Sequence, residues 1–209
     1  GGLKDKLNET SLFDPKSPYA ASKVFSHHAT KIYRDSYNLF CVNGILFNHE
    51  SPYRGETFVT RKITKAVGRI SIGIQSHVTL GNLDASRDWG FAGDYVEGMW
   101  QMMQNKNPDD WVLATGETHT VKEFAKKAFD HVGLNYEDYV KVSEKYFRPN
   151  EVEYLLGDYS KAKKELGWEP KTSFDDLVSM MVDHDIDEAK REKVLIENNL
   201  LEPTWEFPT

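Results

Sequence analysis

The stretch SPYAASKVFSHHATKIYRDSYNLFCVNGILF, from Ser17 to Phe47, decides the fold. Its first part predicts a helix. Ser17 is a favoured N-cap, and Pro18 suits the first helical position because the N–H it lacks would have no partner there. Ala21, Phe25, Ala29 and Ile32 recur at helical spacing and predict a buried stripe running to about Tyr37. Asn38 is a reasonable stop. Leu39 to Phe47 then forms a short, nearly continuous apolar run. A strand buried on both faces of a parallel sheet reads this way. Cys41 within it is expected to be an inert small hydrophobe. A helix feeding a buried strand is the signature of an α/β protein.

The pattern continues in both directions. The residues up to about Asp14 are polar and predict a loop. A loop with Pro and Gly follows Phe47, from Asn48 to about Thr57. Helices are predicted over Phe58–Ile70 and Phe91–Asn105, with strands near His77–Leu80 and Trp111–Ala114. Thr120 with Glu123 makes a capping box for a helix that carries Phe124, Ala128 and Val132. Lys161–Leu166 predicts a short helix closed by Gly167. Pro170 marks a turn, and Ser173 starts a last helix with Leu177, Val178 and Met181 inward. The tail beyond about Asn198 holds two prolines and predicts a looser end. Trp89, Trp100 and Phe124 are expected in the core. The first element is a helix and the strands are few, so the order of elements starts as if inside a domain.

Composition sets the outer bounds. The chain has 209 residues, which is enough for one large domain or one and a part. Its 39% hydrophobic and 28% charged content is ordinary for a globular protein. The net charge of −7 argues against a nonspecific nucleic-acid binder. A single cysteine excludes a disulfide framework and a cysteine-cluster zinc site, and it fits a reducing, cytoplasmic compartment. No apolar run reaches the roughly 18 residues that a membrane span needs. The opening residues show no signal-peptide core. Asn8-Glu9-Thr10 matches a glycosylation sequon, a chance match in an intracellular protein. His27-His28 has no third metal ligand at suitable spacing, so it reads as packing or helix surface and no metal is expected. The pairs Lys126-Lys127 and Lys163-Lys164 read as solvated helix faces.

Tyr19-Ala20-Ala21-Ser22-Lys23 is the sharpest chemical feature. Tyr19 and Lys23 stand four apart and share a helix face. An ammonium beside a phenol favours the phenolate and readies the hydroxyl for proton exchange near neutral pH. The bland alternative is an exposed i,i+4 pair. Its place, just inside a helix that feeds a buried strand, favours the chemical reading.

Ser17-Pro18-Tyr19 through Lys23 resembles the catalytic motif of extended short-chain dehydrogenases. The loop Asn48-His49-Glu50-Ser51-Pro52-Tyr53-Arg54-Gly55-Glu56 through Lys62 narrows the likeness. Leu80-Gly81-Asn82-Leu83, Arg87-Asp88-Trp89-Gly90 and Tyr146-Phe147-Arg148-Pro149-Asn150-Glu151-Val152-Glu153 narrow it further. Together these are similar to the GDP-mannose 4,6-dehydratase family, from about Glu9 to Asp185. Leu166-Gly167-Trp168 with Pro170 is shared more widely among nucleotide-sugar enzymes.

The resemblance implies a partial Rossmann-type parallel sheet with a smaller mixed α/β substrate-binding part. Residues 1–50 and 88–115 would belong to the former, and 51–87 and 116–209 to the latter. It implies NADP as cofactor and GDP-mannose as substrate, with a homo-oligomer, dimer or tetramer, as the assembly. It implies no nucleic-acid or membrane partner. In the family, hydride leaves C4 of mannose for NADP, water is eliminated across C5 and C6, and the hydride returns to C6. Carried over by residue, Tyr19 is the base at the 4-hydroxyl, and Lys23 tunes it and holds the nicotinamide ribose. His49 and Arg54 match cofactor-contacting positions. Asn48, Lys62, Arg87, Arg148 and Glu151 match positions that hold GDP-mannose, and Asn82 could serve another polar group of the nucleotide. The chemistry agrees, because a diphosphate calls for cations and an Arg fork pairs well with it.

Other features depart from the family. None of the 14 glycines falls in a G-x-G-x-x-G pattern, which binds the pyrophosphate at the first strand-to-helix turn of a dinucleotide fold. The Ser-Thr-x-Glu segment that precedes the tyrosine in the family is also absent. Tyr53 stands where the family commonly has arginine. These departures point to the C-terminal portion of such an enzyme, incomplete by itself. They leave two alternatives: a noncatalytic nucleotide-sugar-binding module, or another nucleotide-sugar epimerase or reductase. Without the resemblance, Arg87-Asp88 reads as a structural ion pair and His49 as an ordinary loop histidine.

Overall fold

The computed structural model describes residues 6–147 and 152–205. The chain divides into two compact units. The first takes Gly1–His49, Ala85–His119 and Arg148–Ser173, and the second takes Glu50–Asp84, Thr120–Phe147 and Phe174–Thr209.

The first unit opens with α1, Pro18–Tyr37. Ser17 caps it, its hydroxyl accepting from Ala20 N, and Asn38 ends it in the left-handed conformation. Strand β1, Asn43–Leu46, pairs in parallel with a later strand, β6, Asp110–Leu113, with Gly44 opposite Trp111 and Leu46 opposite Leu113. Two shorter pairs accompany it. Strand β2, Asn48–Glu50, runs beside β5, Trp89–Phe91, and β4, Ser86–Arg87, beside β7, His119–Thr120. Helix α3, Ala92–Gln104, lies between β5 and β6 in sequence. Helix α6, Ser160–Leu166, ends on Gly167 at a φ of 70°, a left-handed cap that glycine adopts without steric cost. The core joins Tyr95, Met102, Trp111, Leu113, Ala162 and Trp168. Trp168 Nε1 donates to the Asp94 carbonyl at 2.8 Å, so the buried indole is satisfied.

The apolar stripe expected on α1 is not buried. Phe25 is 75% exposed and Ile32 59%, and α1 has no buried residue. Polar anchors at the start of β6 hold the helix instead. Arg34 Nη1 donates to Asp110 Oδ1 at 2.9 Å, and Asn43 Nδ2 donates to the same oxygen at 2.9 Å and to the His27 carbonyl at 3.2 Å. Burial would raise the Asp110 carboxyl, but the Arg34 and Asn43 hydrogen bonds and the Arg34 charge outweigh it and hold it below the usual range. The apolar face of α1 is turned away from this anchorage. Likewise β1 is shorter than the apolar run and only half-buried, because β6 pairs with one edge alone. Cys41 precedes the strand and is half-buried. Trp100, expected in the core, is 64% exposed, on the side of α3 away from Tyr95 and Met102.

The second unit is built on α2, Val59–Ser71, α4, Val121–His131, and α7, Phe174–Glu197. With them go α5, Tyr136–Tyr139, a 3-10 turn at Glu144–Tyr146, and the parallel pair of β3, Val78–Leu80, with β8, Val140–Val142. The predicted capping box forms. Glu123 N donates to Thr120 Oγ1 at 3.0 Å, and Thr120 N donates to Glu123 Oε2 at 2.7 Å. Phe124, Leu177, Val178 and Met181 are buried as expected, and Ala128 is buried too.

Helices α2 and α7 meet closely at Gly68. A methyl group there would stand 2.5 Å from the Asp185 carbonyl oxygen, so glycine is required. Beside it lies a buried ion pair. Arg61 Nε donates to both Asp185 oxygens at 3.0 and 2.9 Å, and Thr64 Oγ1 donates to Oδ2 at 2.6 Å. The tail is seated rather than loose as far as Trp205. Its indole covers the Arg69 guanidinium at 3.7 Å and donates to the Ile74 carbonyl at 3.2 Å.

In the first unit Asp88 does for loops what Asp185 does for helices. Its buried carboxylate accepts from Thr115 N at 2.8 Å and Oγ1 at 2.7 Å, Gly116 N at 3.1 Å and Gly157 N at 3.0 Å. Burial raises its pKa, and the hydrogen bonds from Thr115, Gly157 and Gly116 offset part of that rise. An amide at this position would turn N–H groups toward N–H groups. Asp88→Asn is therefore expected to lower the unfolding free energy by about 2–3 kcal/mol, read as a drop in urea midpoint at pH 7. A loss below about 0.5 kcal/mol, the size of an ordinary surface change, contradicts this role.

Candidate functional site

Tyr19 and Lys23 lie on the first turns of α1, where the Ser17 cap fixes the start of the helix. Tyr19 is 71% exposed, and the Lys23 ammonium stands 5.3 Å from the centroid of its ring. The phenol is thus open to a reactant with a cation beside it. A phenolate can take a proton from a hydroxyl, and a nearby ammonium favours that form of the phenol.

Asn48 and His49 follow one another on β2 and are half-buried. The His49 ring packs on the Tyr95 ring, with centroids 5.2 Å apart and planes tilted by 31°. Its Nδ1 lies 2.8 Å from the Phe47 carbonyl. A carbonyl only accepts, so Nδ1 carries a proton, and in the uncharged ring Nε2 is then the acceptor. Arg87, on β4, donates from Nη1 to the Ser86 carbonyl at 2.9 Å. Its neighbour Asp88 is engaged with Thr115, Gly116 and Gly157 as described above.

In the second unit, Arg54 sits in the turn that leads to α2. Its guanidinium lies 3.6 Å from the centroid of the Phe58 ring, and its Nε is 3.1 Å from Glu50 Oε2. Thr60 Oγ1 donates to that same oxygen at 2.6 Å. Glu50 is 2% exposed, and burial raises its pKa, with the Thr60 hydrogen bond and the Arg54 charge pulling the other way. Lys62 is half-buried on α2, with its ammonium 4.2 Å from the centroid of the Tyr146 ring, and burial holds its pKa below the ordinary lysine value. Gly81 allows this, since a methyl group there would come within 2.7 Å of the Tyr146 carbonyl oxygen. Asn82 follows β3. Its side-chain oxygen accepts from Asp84 N at 2.9 Å in a local turn, and among the described residues its N–H2 makes no hydrogen bond. Arg148 and Glu151 lie outside the described residues.

Tyr19 with Lys23 is the one pair of predicted site residues joined by a direct contact among the described residues. His49, Arg54 and Lys62 are each held by a residue that the sequence reading gave no role. Tyr95 and the Phe47 carbonyl fix His49, Glu50 and Phe58 fix Arg54, and Tyr146 covers Lys62. Glu50 alone carried a local signal, an acid four residues ahead of Arg54 in a turn. Cations poised this way suit phosphate oxygens, and acceptors such as His49 Nε2 suit hydroxyl groups.

Comparison with known proteins agrees with the fold and with the resemblance. A protein-family model described as GDP-mannose 4,6 dehydratase matches residues 2–181. GDP-mannose 4,6 dehydratase 1 of Arabidopsis thaliana is 60% identical over 195 residues, which cover 93% of this chain and 54% of that protein. The GDP-mannose 4,6 dehydratase of Homo sapiens is 48% identical over 196 residues, 86% of this chain and 53% of that protein. The chain spans about half the length of these curated relatives. Among solved structures, the dTDP-glucose 4,6-dehydratase of Bacillus anthracis in complex with NAD superposes with a TM-score of 0.80 at 18% identity. That match covers 93% of this chain and 60% of the other. The UDP-glucose 4-epimerase of Thermus thermophilus in complex with NAD gives 0.75 at 26% identity, over 87% of this chain and 58% of the other. The fold is thus the short-chain dehydrogenase type, here a mixed α/β chain with short parallel strand pairs. With its Tyr19–Lys23 pair, its Asn48–Lys62 loop and a family match over residues 2–181, the chain belongs to the GDP-mannose 4,6-dehydratase family.

Proposed function

We propose that this chain is the substrate-bearing part of an NADP-dependent lyase that converts GDP-mannose to GDP-4-keto-6-deoxymannose and water. The observation that carries this reading is the 60% identity over 195 residues to the Arabidopsis thaliana dehydratase. The reaction is a first step toward GDP-fucose-type deoxysugars, placed in the cytoplasm and in a homo-oligomer, dimer or tetramer. The exposed Tyr53 is the point at which contacts between copies would differ from those of relatives with arginine there.

Each candidate cofactor contact has chemistry that suits a nicotinamide dinucleotide. Arg54 offers an unpaired guanidinium end, His49 an acceptor and Lys23 a donor, and the RMD protein of Pseudomonas aeruginosa, similar in fold, was solved with NADPH. When bound, the dinucleotide accepts a hydride and gives it back. Tyr19, as a phenolate that Lys23 stabilises, takes the proton from the 4-hydroxyl as the C4 hydride departs and becomes the neutral phenol. His49 Nε2 accepts a hydrogen bond from a ribose hydroxyl. Lys62 and Arg87 neutralise diphosphate oxygens, while Asn48 and Asn82 orient the nucleotide sugar. Arg148 and Glu151 complete the GDP contacts, with Glu151 accepting from guanine or ribose donors.

A second reading concerns the isolated chain. It is a nucleotide-sugar-binding module without turnover. Calorimetric titration with GDP-mannose, and separately with NADP, tests both readings. GDP-mannose is expected to bind, and Lys62→Met is expected to weaken it about tenfold, the effect of losing one charged hydrogen bond. Equal affinity for UDP-glucose, or no nucleotide-sugar binding by the folded chain, would overturn the assignment. Turnover by the isolated chain would eliminate the binding-module reading.

The role of His49 has its own check. At pH 8 the ring is expected as the neutral Nδ1–H tautomer, with a pyrrole-type 15N shift at Nδ1 and a pyridine-type shift at Nε2. The opposite tautomer would remove His49 as the acceptor for a ribose hydroxyl.

A further inference from the structure

We propose that Glu50 is a positioning residue that aims Arg54 at a phosphate group of the dinucleotide. The inference rests on the reading of Arg54 as a cofactor contact and goes beyond it to the group that makes the contact possible. Glu50 is 2% exposed, yet it does not form an ordinary two-point salt bridge. A single oxygen, Oε2, takes the Thr60 hydroxyl at 2.6 Å and faces Arg54 Nε at 3.1 Å. The guanidinium plane is held on one side by the Phe58 ring, 3.6 Å away. Gly55 leaves room for that ring, since a methyl group there would press on it at 3.3 Å.

The backbone of the turn is fixed as well. The Arg54 carbonyl accepts from Arg61 Nη1 at 3.3 Å, and Arg61 is locked by its ion pair with Asp185. Arg54 is thus restrained at its carbonyl, over one face, and at a buried Nε that faces Glu50 as an ion pair without an aligned hydrogen bond. Among the described residues its two terminal nitrogens make no hydrogen bond. Those two nitrogens form the fork that grips a phosphate at two points. A restrained fork loses less freedom on binding than a free one.

Charge and geometry predict opposite signs for one substitution. Glu50 is negative and close to Arg54, so as a bystander it would weaken the attraction of Arg54 for an anion. Glu50→Gln would then tighten anion binding. As a positioning residue Glu50 does the reverse, and Glu50→Gln loosens binding because the fork loses its aim.

The experiment uses this chain, Glu50→Gln, Thr60→Val and Arg54→Ala. One arm follows the Arg54 Nε–H signal by NMR without ligand. The other measures NADP affinity by calorimetry. The unsubstituted chain is expected to show a resolved, slowly exchanging Nε–H, which Glu50→Gln averages and Thr60→Val broadens. NADP affinity is expected to fall about tenfold in Glu50→Gln, approaching the loss in Arg54→Ala. An unchanged Nε–H signal in Glu50→Gln, or tighter NADP binding, would overturn the proposal. If Glu50→Gln fails to fold, Thr60→Val decides it by the same signal. If NADP does not bind, or Arg54→Ala leaves its affinity unchanged, the cofactor reading of Arg54 falls and with it the aim at a dinucleotide. The Nε–H signal then still decides whether Glu50 holds the side chain.

Discussion

A buried carboxylate has to be surrounded by donors, and Asp88 meets that demand by gathering backbone from two distant parts of the chain. The N–H groups of Thr115, Gly116 and Gly157 all turn toward it. Residue 115 follows β6 and residue 157 precedes α6, so this one side chain fixes where the strand exits and where the helix begins. The crowding around Gly157 follows from the same arrangement. A methyl group there would overlap the Ala114 Cβ at 2.2 Å, so the donor that reaches Asp88 has to be a glycine N–H. Asp185 is the counterpart in the second unit, where Arg61 and Thr64 of α2 supply the donors and Gly68 supplies the clearance. Removing one partner from such a group costs several kcal/mol, because the charge is left buried and alone.

The sequence was most legible where structure is decided locally. Ser17-Pro18, the Thr120/Glu123 box and Gly167 each act within a few residues, and each helix end they announce is present. Apolar periodicity succeeded on α4 and α7, where neighbouring helices cover the stripe. The same reasoning failed on α1 and on Trp100. Phe25 and Ile32 have the spacing of a buried face, but spacing reports which residues share a side and not whether another element lies against it. What holds α1 is the Arg34–Asp110–Asn43 cluster, a contact across 76 residues that no local pattern encodes. Of the candidate site, the sequence offers candidate groups but not the residues that pack on them, since Tyr95, Phe58 and Tyr146 look like any aromatic until the packing is known.

Those supports share a physical logic. A long side chain that must meet a charged ligand loses rotamer freedom on binding, and restraint in advance lowers that loss. His49 is held by Tyr95 and the Phe47 carbonyl, which together select one ring orientation and one tautomer. Arg54 is held by a ring on its face and a carboxylate at Nε. Lys62 is held more loosely, by the Tyr146 ring and by burial that makes its charged form costlier. An ammonium already partly stripped of water gains more from a phosphate than a fully hydrated one would. Restraint at Arg54 and at His49, and desolvation at Lys62, each place at folding a cost that a free, hydrated side chain meets only on binding.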